Sequence, residues 1–513
     1  MSRFYLTTAI DYSNGEPHIG HAYEKIGADA IARYRRLRGD DVHFLIGMDE
    51  HGQKVARAAA ERGMTPQQQV DEIADRFQSM WRKLEISNDQ FVRTTGDAHK
   101  NGVRALMKRI FDNNPDDFYE KSYSGWYCVG CEAFKQDAEI EDGKCVLHPT
   151  LKLEWVEERN WFFRLSKYEG FLKRLLTERP QFLQPETRRN EMLALLEYGL
   201  EDLSASRSRF AWGVPFPAPL STGETQTTYV WFDALPNYLT ATGFPEKGYK
   251  ERWPAQLHIV GKDINRFHTI LWPAMLQAAE LPIPDRVWVH GFVLLAGERF
   301  SKSAGVRLDL NEAIDRFGPD AFRYFLLREV PFDTDGNFSW ERFEQVYTSE
   351  LANTWGNLGS RVIAMIEKYF DGVVPPAAQT ELDLADAAER EEYHAAMDGS
   401  RGFLLHEGIK RALASVARGN EYVQMTQPWS LAKSPENRRE LERALGTLVR
   451  AVARHAVLLY PFVPGKAAEL WRQLGAPGRI EDQRFEGLSA LDAAGWKVQK
   501  GDPLFPKPTP TAS

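Results

Sequence analysis

The sequence predicts an α/β protein: a doubly wound parallel sheet, interrupted by an inserted segment and followed by an all-α helix bundle. Three patterns carry this expectation. Short β-favouring runs alternate with helical runs early in the chain and again after Thr227, as in strands joined by helical crossovers. Between about 115 and 219 that alternation gives way to short strands and irregular segments. From about Phe343 to near Leu474 apolar residues recur at helical spacing, in Val346–Phe370, Glu389–Met425 and Pro435–Tyr460.

Composition bounds the possibilities. A chain of 513 residues exceeds one ordinary domain, and about three or four are expected. With 43% hydrophobic and 27% charged residues, the composition is that of a soluble globular protein. No apolar run is long enough to span a bilayer. The first residues enter a β-favouring run without a targeting pattern, so a cytoplasmic protein with no membrane partner is expected. A net charge of −8 argues against a generally basic nucleic-acid binder but leaves room for local basic faces. Three cysteines, all between 128 and 145, do not make a disulfide framework.

The first strand is expected over Arg3-Phe-Tyr-Leu-Thr-Thr-Ala-Ile10 and the first helix over Ala22–Leu37. Between them lies Asp11-Tyr-Ser-Asn-Gly-Glu-Pro-His-Ile-Gly-His21. A strand, a turn and a helix start in this order present free backbone N–H groups and the positive end of a helix dipole, which suit phosphate. Gly20 lets a ligand approach the backbone. The same residues also fit a plain capped helix start with two surface histidines. Val42, Phe44, Leu45 and Ile46 form a buried strand whose carboxyl end carries Asp49, Glu50 and His51, where an α/β sheet places its ligand crevice. Helix Gln53–Arg62 follows, and Thr65-Pro-Gln-Gln68 carries the residues of a capped helix start.

In the interrupting segment, Cys128-Val-Gly-Cys131 and Cys145-Val-Leu-His148 have the spacing of a tetrahedral Cys3His zinc site. A redox pair or buried thiols are the other readings, but a redox pair should open a helix, and this one sits in a glycine turn. Four protein ligands leave no open position, so the zinc is read as structural. After Thr227, strands are expected at Tyr229–Tyr238 (leading into a helix), Leu257–Ile264 and Val287–Leu295, with a helix opening at Phe267–Trp272. The cationic loop Gly297–Gly305 fits either a phosphate-contacting loop or an ordinary hairpin. Asp502–Ser513 reads as a strap ending in a disordered tail.

Taken together, these residues resemble a known family. His18-Ile-Gly-His21 matches the HIGH signature of class I aminoacyl-tRNA synthetases, and Arg299-Phe-Ser-Lys-Ser303 resembles their KMSKS loop. The cysteine-bearing insertion, Tyr229-Val-Trp-Phe-Asp-Ala, Gly261-Lys-Asp-Ile and the helical carboxyl-terminal part make the chain similar to the methionyl-tRNA synthetase family. The resemblance covers nearly the whole chain. It implies a Rossmann-type catalytic domain in two halves, 1–116 and 226–298, around a connective domain with a zinc knuckle, 117–225. A KMSKS and stem-contact region at 299–346, an anticodon-binding bundle at 347–500 and a tail at 501–513 complete it.

The resemblance also implies roles. His18, His21 and Lys302 stabilise the triphosphate as methionine is activated, with Mg2+ on ATP. Gly20, Gly261, Asp263, Val293 and Arg207 are the further ATP contacts. Arg207 belongs to a block that runs from Ser206-Arg207 to Trp212-Gly-Val-Pro215. Methionine lies against Ile10, Tyr12, Trp231, Ala234, Leu235, Tyr238, Ile264 and His268, with Phe267 beside and Trp272 behind, and Asp49 pairs with its amino group. An aromatic, polarizable cage is what a thioether needs. Asn357, Arg361 and Trp429 read the anticodon by hydrogen bonding and stacking. The implied partners are ATP, L-methionine and initiator and elongator tRNA(Met). The first KMSKS lysine is Arg299 and its methionine Phe300, a geometric departure. No oligonucleotide-binding module follows the bundle, so a monomer is expected. Another class I synthetase, or an inactive tRNA-binding protein of the same fold, are the alternatives.

Overall fold

The computed structural model of the chain describes residues 2–131, 133–208, 212–295, 298–299 and 308–506. Its central sheet is parallel throughout. The strands lie in the order Leu183–Gln184, Val287–His290, Leu257–Gly261, Arg3–Thr8, Asp41–Asp49, with Gln90–Arg93 beyond. The two-residue strand Asp11–Tyr12 continues beside the carboxyl end of Asp41–Asp49, pairing Tyr12 with Asp49. The chain order reverses between Arg3–Thr8 and Leu257–Gly261, the switch point at which such sheets open a crevice. Both faces are covered. Helices Ile19–Leu37 and Pro66–Lys83 pack on one with Ile26, Tyr34, Phe77 and Trp81; Asp97–Asn113 and Trp272–Ala278 pack on the other with Val103, Leu106 and Trp272. Strands buried on both sides need no polar alternation, and Phe44-Leu-Ile46 shows none.

Three elements depart from the expected pattern. Tyr229–Tyr238 is not a strand: Thr227–Thr228 pairs with Ser206–Arg207, and a helix runs over Val230–Ala234. A short apolar aromatic run carries no periodicity that separates strand from helix. Val287–Leu295 breaks at Gly291, where a Cβ would lie 2.2 Å from the Thr334 carbonyl. Its second half, Val293–Leu295, joins a different sheet with Gly336–Phe338 and Glu298–Arg299. The third departure is Leu183–Gln184, which returns to the central sheet within the span expected for the insertion.

The insertion's main sheet pairs Phe118–Cys128 with Glu154–Phe163 over ten register positions, flanked by Leu203–Ser204 and Ala133–Lys135. At its tip, Ile140–Glu141, Lys144–Cys145 and His148–Lys152 form a small three-stranded sheet.

Helices Asn357–Phe370, Glu381–Met397, Leu405–Thr426 and Arg438–Leu459 form the bundle. It is not a separate globule, for one apolar core runs from the sheet helix Ile19–Leu37 into it. Arg323, fully buried, donates to Asp29 of that helix at 2.6 Å, to Leu84 O at 3.0 Å, and to Pro461 O and Phe462 O at 3.0 and 3.2 Å. Arg33 adds Asp29 at 2.7 Å and the Tyr460 hydroxyl at 2.7 Å. Removing one partner from such a buried set costs about 3–5 kcal/mol. The strap residues Leu504 and Phe505 are buried, Phe505 against Tyr347 and Trp355; 507–513 lie outside the described residues.

Candidate active site

The crevice at the switch point is a cleft of about 1780 Å³. One end of it is the start of helix Ile19–Leu37. His18 is the N-cap, in extended conformation, and its Nδ1 accepts from Gly20 N at 3.1 Å. His21 Nδ1 accepts from His18 N at 3.2 Å. Two histidines thus make a reciprocal capping box, with rings stacked 3.6 Å apart. Because both Nδ1 atoms accept, both rings carry their proton on Nε2. Gly20 has a further reason to lack a side chain: a Cβ there would meet His18 Cε1 at 3.1 Å and block the cap.

The other end of the cleft is aromatic. Ile10, Tyr12, Asp49, Trp231, Ala234, Leu235, Tyr238, Ile264 and His268 all line it. The parallel pairing of Asp11–Tyr12 puts Tyr12 next to Asp49, whose carbonyl accepts from Ser13 N and Oγ. Trp231 stacks on Phe267 at 3.8 Å and 7°, so Phe267 braces the cage from outside. Fully buried Trp272 stands behind Tyr238. A π-helical turn, Phe267–Leu271, carries His268. His268 Nδ1 lies 3.0 Å from Ile264 O and must donate, so Nε2 accepts from the Tyr238 hydroxyl at 2.7 Å. Burial lowers the His268 pKa to about 4, keeping the ring neutral. These two polar side chains satisfy each other and present an apolar wall.

Gly20, Gly261, Asp263 and Val293 also line the cleft. At Gly261 a Cβ would lie 2.8 Å from Asp263 Oδ1, so the glycine makes room for the carboxylate that follows the strand end. Arg207, expected at a phosphate, is not among the lining residues. Its guanidinium is spent in the interior, on Ser204 Oγ and Ser206 O, both at 2.8 Å, and over Tyr229 at 4.0 Å. Lys302 lies outside the described residues.

Sequence reading did not single out the polar floor. Lys25, fully buried, donates to Ala9 O at 2.8 Å, Asp11 Oδ1 at 2.9 Å and Glu24 Oε1 at 2.7 Å. His290 Nε2 lies 3.2 Å from Glu24 Oε2. Burial raises the Asp11 carboxyl to about 7, against the pull of Lys25 and with Glu24 adding to the rise. On Glu24, burial is outweighed by Lys25 and His290, which hold it below its ordinary value. The available signal was spacing: Glu24 and Lys25 stand three and four residues after His21, on its helix face. A second buried set joins the elements around the cage. Asp233 accepts from His51 at 2.7 Å and lies 3.0 Å from His99, and these contacts outweigh burial and hold its carboxyl well below the usual range.

The four candidate zinc ligands meet at the tip of the insertion, their donor atoms all within 4.8 Å of one another. Cys131 Sγ lies 3.3 Å from His148 Nδ1 and 3.6 Å from Cys145 Sγ; Cys128 Sγ lies 3.8 Å from His148 Nδ1. Tetrahedral zinc at ordinary bond lengths separates its ligands by about 3.5–3.8 Å, so the set fits the ion. Leu147, His148, Thr150 and Leu151 line the cleft, so this tip overhangs it.

In the bundle, the π-helical segment Tyr347–Gly356 resolves into an α-helix at Asn357. Asn357 is exposed and Arg361 partly so. Among the described residues no hydrogen bond or ion pair engages either side chain. Trp429, on the short helix Pro428–Leu431, is 37% exposed, unusual for so large an apolar ring.

Comparison with known proteins agrees with this geometry. A family model described as tRNA synthetases class I (M) matches residues 4–152 and 135–363, and one for the anticodon binding domain of methionyl tRNA ligase matches 380–511. The methionine–tRNA ligase of Caldanaerobacter subterraneus subsp. tengcongensis is 43% identical over 98% of this chain and 78% of its own length. That of Thermotoga maritima is 42% identical over 98% and 80%. The Mycobacterium tuberculosis methionyl-tRNA synthetase in complex with methionyl-adenylate superposes with a TM-score of 0.92 at 38% identity, covering 99% of this chain and 100% of that one. Its free form gives 0.85 at 36% identity, covering 99% of each chain. The chain belongs to the methionyl-tRNA synthetase family of class I aminoacyl-tRNA synthetases.

Proposed function

We propose that the cleft activates methionine with ATP to methionyl-adenylate and pyrophosphate, and that the methionyl group then passes to the terminal adenosine of tRNA(Met). The observation that carries this reading is the continuity of the cleft: one cavity is lined by the histidine capping box and by the aromatic cage. The methionine side chain lies against Ile10, Tyr12, Trp231, Ala234, Leu235, Tyr238, Ile264 and His268, and its amino group faces Asp49. ATP lies along Gly20, Gly261, Asp263 and Val293, with its triphosphate toward His18, His21 and Lys302.

The reaction needs no nucleophile from the protein. The methionine carboxylate attacks the α-phosphate in line and pyrophosphate leaves. Negative charge grows on phosphate oxygens, which the two Nε2–H donors, the helix dipole and the Lys302 ammonium stabilise. Mg2+ on ATP would supply further positive charge. The Cys3His set holds a structural zinc that keeps the tip of the insertion folded above the cleft. Asn357, Arg361 and Trp429 supply donors and a stacking surface to anticodon bases of initiator and elongator tRNA alike. The protein acts as a monomer in the cytoplasm.

Exchange of labelled pyrophosphate into ATP, run with each of the twenty amino acids, tests the reading. Methionine alone supports strong exchange. Exchange with a different amino acid would assign another class I activity, and none at all would leave a tRNA-binding protein.

A further inference from the structure

The opposite edge of the central sheet, where its strands begin, carries a second pocket of about 320 Å³. Phe4 is the second residue of one strand there, Leu257 opens the next, and Arg286 precedes Val287 of a third. Phe403, from the turn before helix Leu405–Thr426, closes the pocket on the bundle side. Three guanidinium groups, from Arg35, Arg179 and Arg286, face this space.

Their hydrogen-bond donors are poorly matched. Arg35 reaches Asp40 only at 3.5 Å, donates to the Asp398 carbonyl at 2.6 Å, and has a buried Nε with no partner. Arg286 donates once, to Gly399 O at 2.7 Å; Arg179 donates once, to Asp285 O at 3.4 Å. Among the described residues, neither Arg179 nor Arg286 has a carboxylate within ion-pair distance. Two acids lie near: Asp285 lines the pocket itself, and it and Asp398 both act on Arg286 as opposing charge. The Asp398 carboxylate accepts from Ser400 N at 2.7 Å and sits 3.5 Å from His394, and the exposed Asp285 takes Gln256 at 3.5 Å. Burial first, and then the like charge of Arg35, hold the Arg286 guanidinium below its ordinary pKa against the opposing pull of Asp398 and Asp285. A guanidinium has five donors in a fixed fork, so most of this donor capacity is unspent.

We propose that this pocket binds a small oxyanion of the phosphate class, free orthophosphate or pyrophosphate, held by Arg35, Arg179 and Arg286. Planar forks match the tetrahedral oxygens of phosphate, and the anion takes up the guanidinium donors that the protein leaves unspent. The bound anion joins the strand starts to the Gly399–Phe403 turn, so it clamps the sheet to the bundle. The site is separate from the cleft, which opens at the other ends of the same strands.

The test uses the full chain with its zinc, the cleft filled by a methionyl-adenylate analogue. Melting temperature and calorimetric binding are followed against sodium phosphate and sodium pyrophosphate, with sodium chloride at matched ionic strength. A saturable rise with at least one phosphate anion, absent with chloride, is expected; the tighter anion identifies the ligand. Arg286→Met and Arg179→Met each weaken binding about ten-fold or more, whereas Arg57→Met, at an exposed ion pair elsewhere, leaves it unchanged. Arg179→Met loses one long hydrogen bond and a contact over the Phe182 ring at 5.9 Å, and carries the test where Arg286→Met fails to fold. No saturable rise in the parent protein, or an unaltered affinity in Arg179→Met, overturns the proposal.

Discussion

His268 offers the sharpest quantitative test, because its two ring nitrogens are already committed. Nδ1 donates to Ile264 O and Nε2 accepts from Tyr238. A second proton has to go to Nε2, which sets two donors face to face in a buried site. The folded pKa is about 4, below the ordinary value of 6.5. Between those values the unfolded chain binds a proton that the folded chain does not, so this group's contribution is fully present above 6.5 and is lost as pH falls toward 4. At about 1.4 kcal/mol per unit, the loss amounts to about 3 kcal/mol. Urea unfolding of the parent protein and of His268→Gln, from pH 4.5 to 7.5, isolates it: other groups titrate equally in both, and the difference between the two carries this histidine. The stability advantage of the parent shrinks steadily below pH 6.5. The Cε1–H resonance missing from the variant's NMR spectrum shows no midpoint above 5. A midpoint between 6 and 7, or parallel stability curves, would refute the buried neutral ring.

Three further outcomes test the remaining assignments. Lys302→Ala slows adenylate formation about 100-fold or more while methionine binding, followed by tryptophan fluorescence, changes little; an equal loss in both means that the lysine acts otherwise. Trp429→Ala lowers tRNA charging by about ten-fold or more and spares pyrophosphate exchange; a parallel fall in exchange would make the ring structural. Elemental analysis finds about one zinc per chain, lost in Cys145→Ser. Protease cuts then appear between 128 and 152 with the main unfolding transition unmoved, since Tyr127, Val129 and Val156 form an apolar cluster apart from the two large cores. Zinc retained in that variant argues for a different ligand set.

What was legible in the sequence, and what was not, follows from the range of each interaction. Local chemistry reads well: the Thr65–Gln68 capping box stands in the structure as its residues predict, and the two C-x-x-C/H pairs do converge. Nine cage residues from four separate segments were placed through resemblance, and all nine line one cleft. Contacts made across the fold did not read. Lys25 looks like one more charge on a helix until Asp11, Glu24 and the Ala9 carbonyl close around it. Nor does the sequence show that Arg207, expected at a phosphate, packs on Ser204, Ser206 and Tyr229 and stands outside the cleft lining. Gly291 gives no hint that the Thr334 backbone passes so close that the strand must break.

The helix that begins at His18 is also a lever. Its 19 residues span about 28 Å, with the two histidines at one end and, toward the other, Arg33 and Tyr34 held by Tyr460 and Tyr393 of the bundle and Asp29 by Arg323. A tilt of two degrees about the gripped residues moves the histidines by about 0.4–0.8 Å. Reacting groups tolerate little more than that before the rate falls. The aim of two imidazoles is therefore set in part by packing at the other end of the helix, where Tyr460 and Tyr393 hold Arg33 and Tyr34.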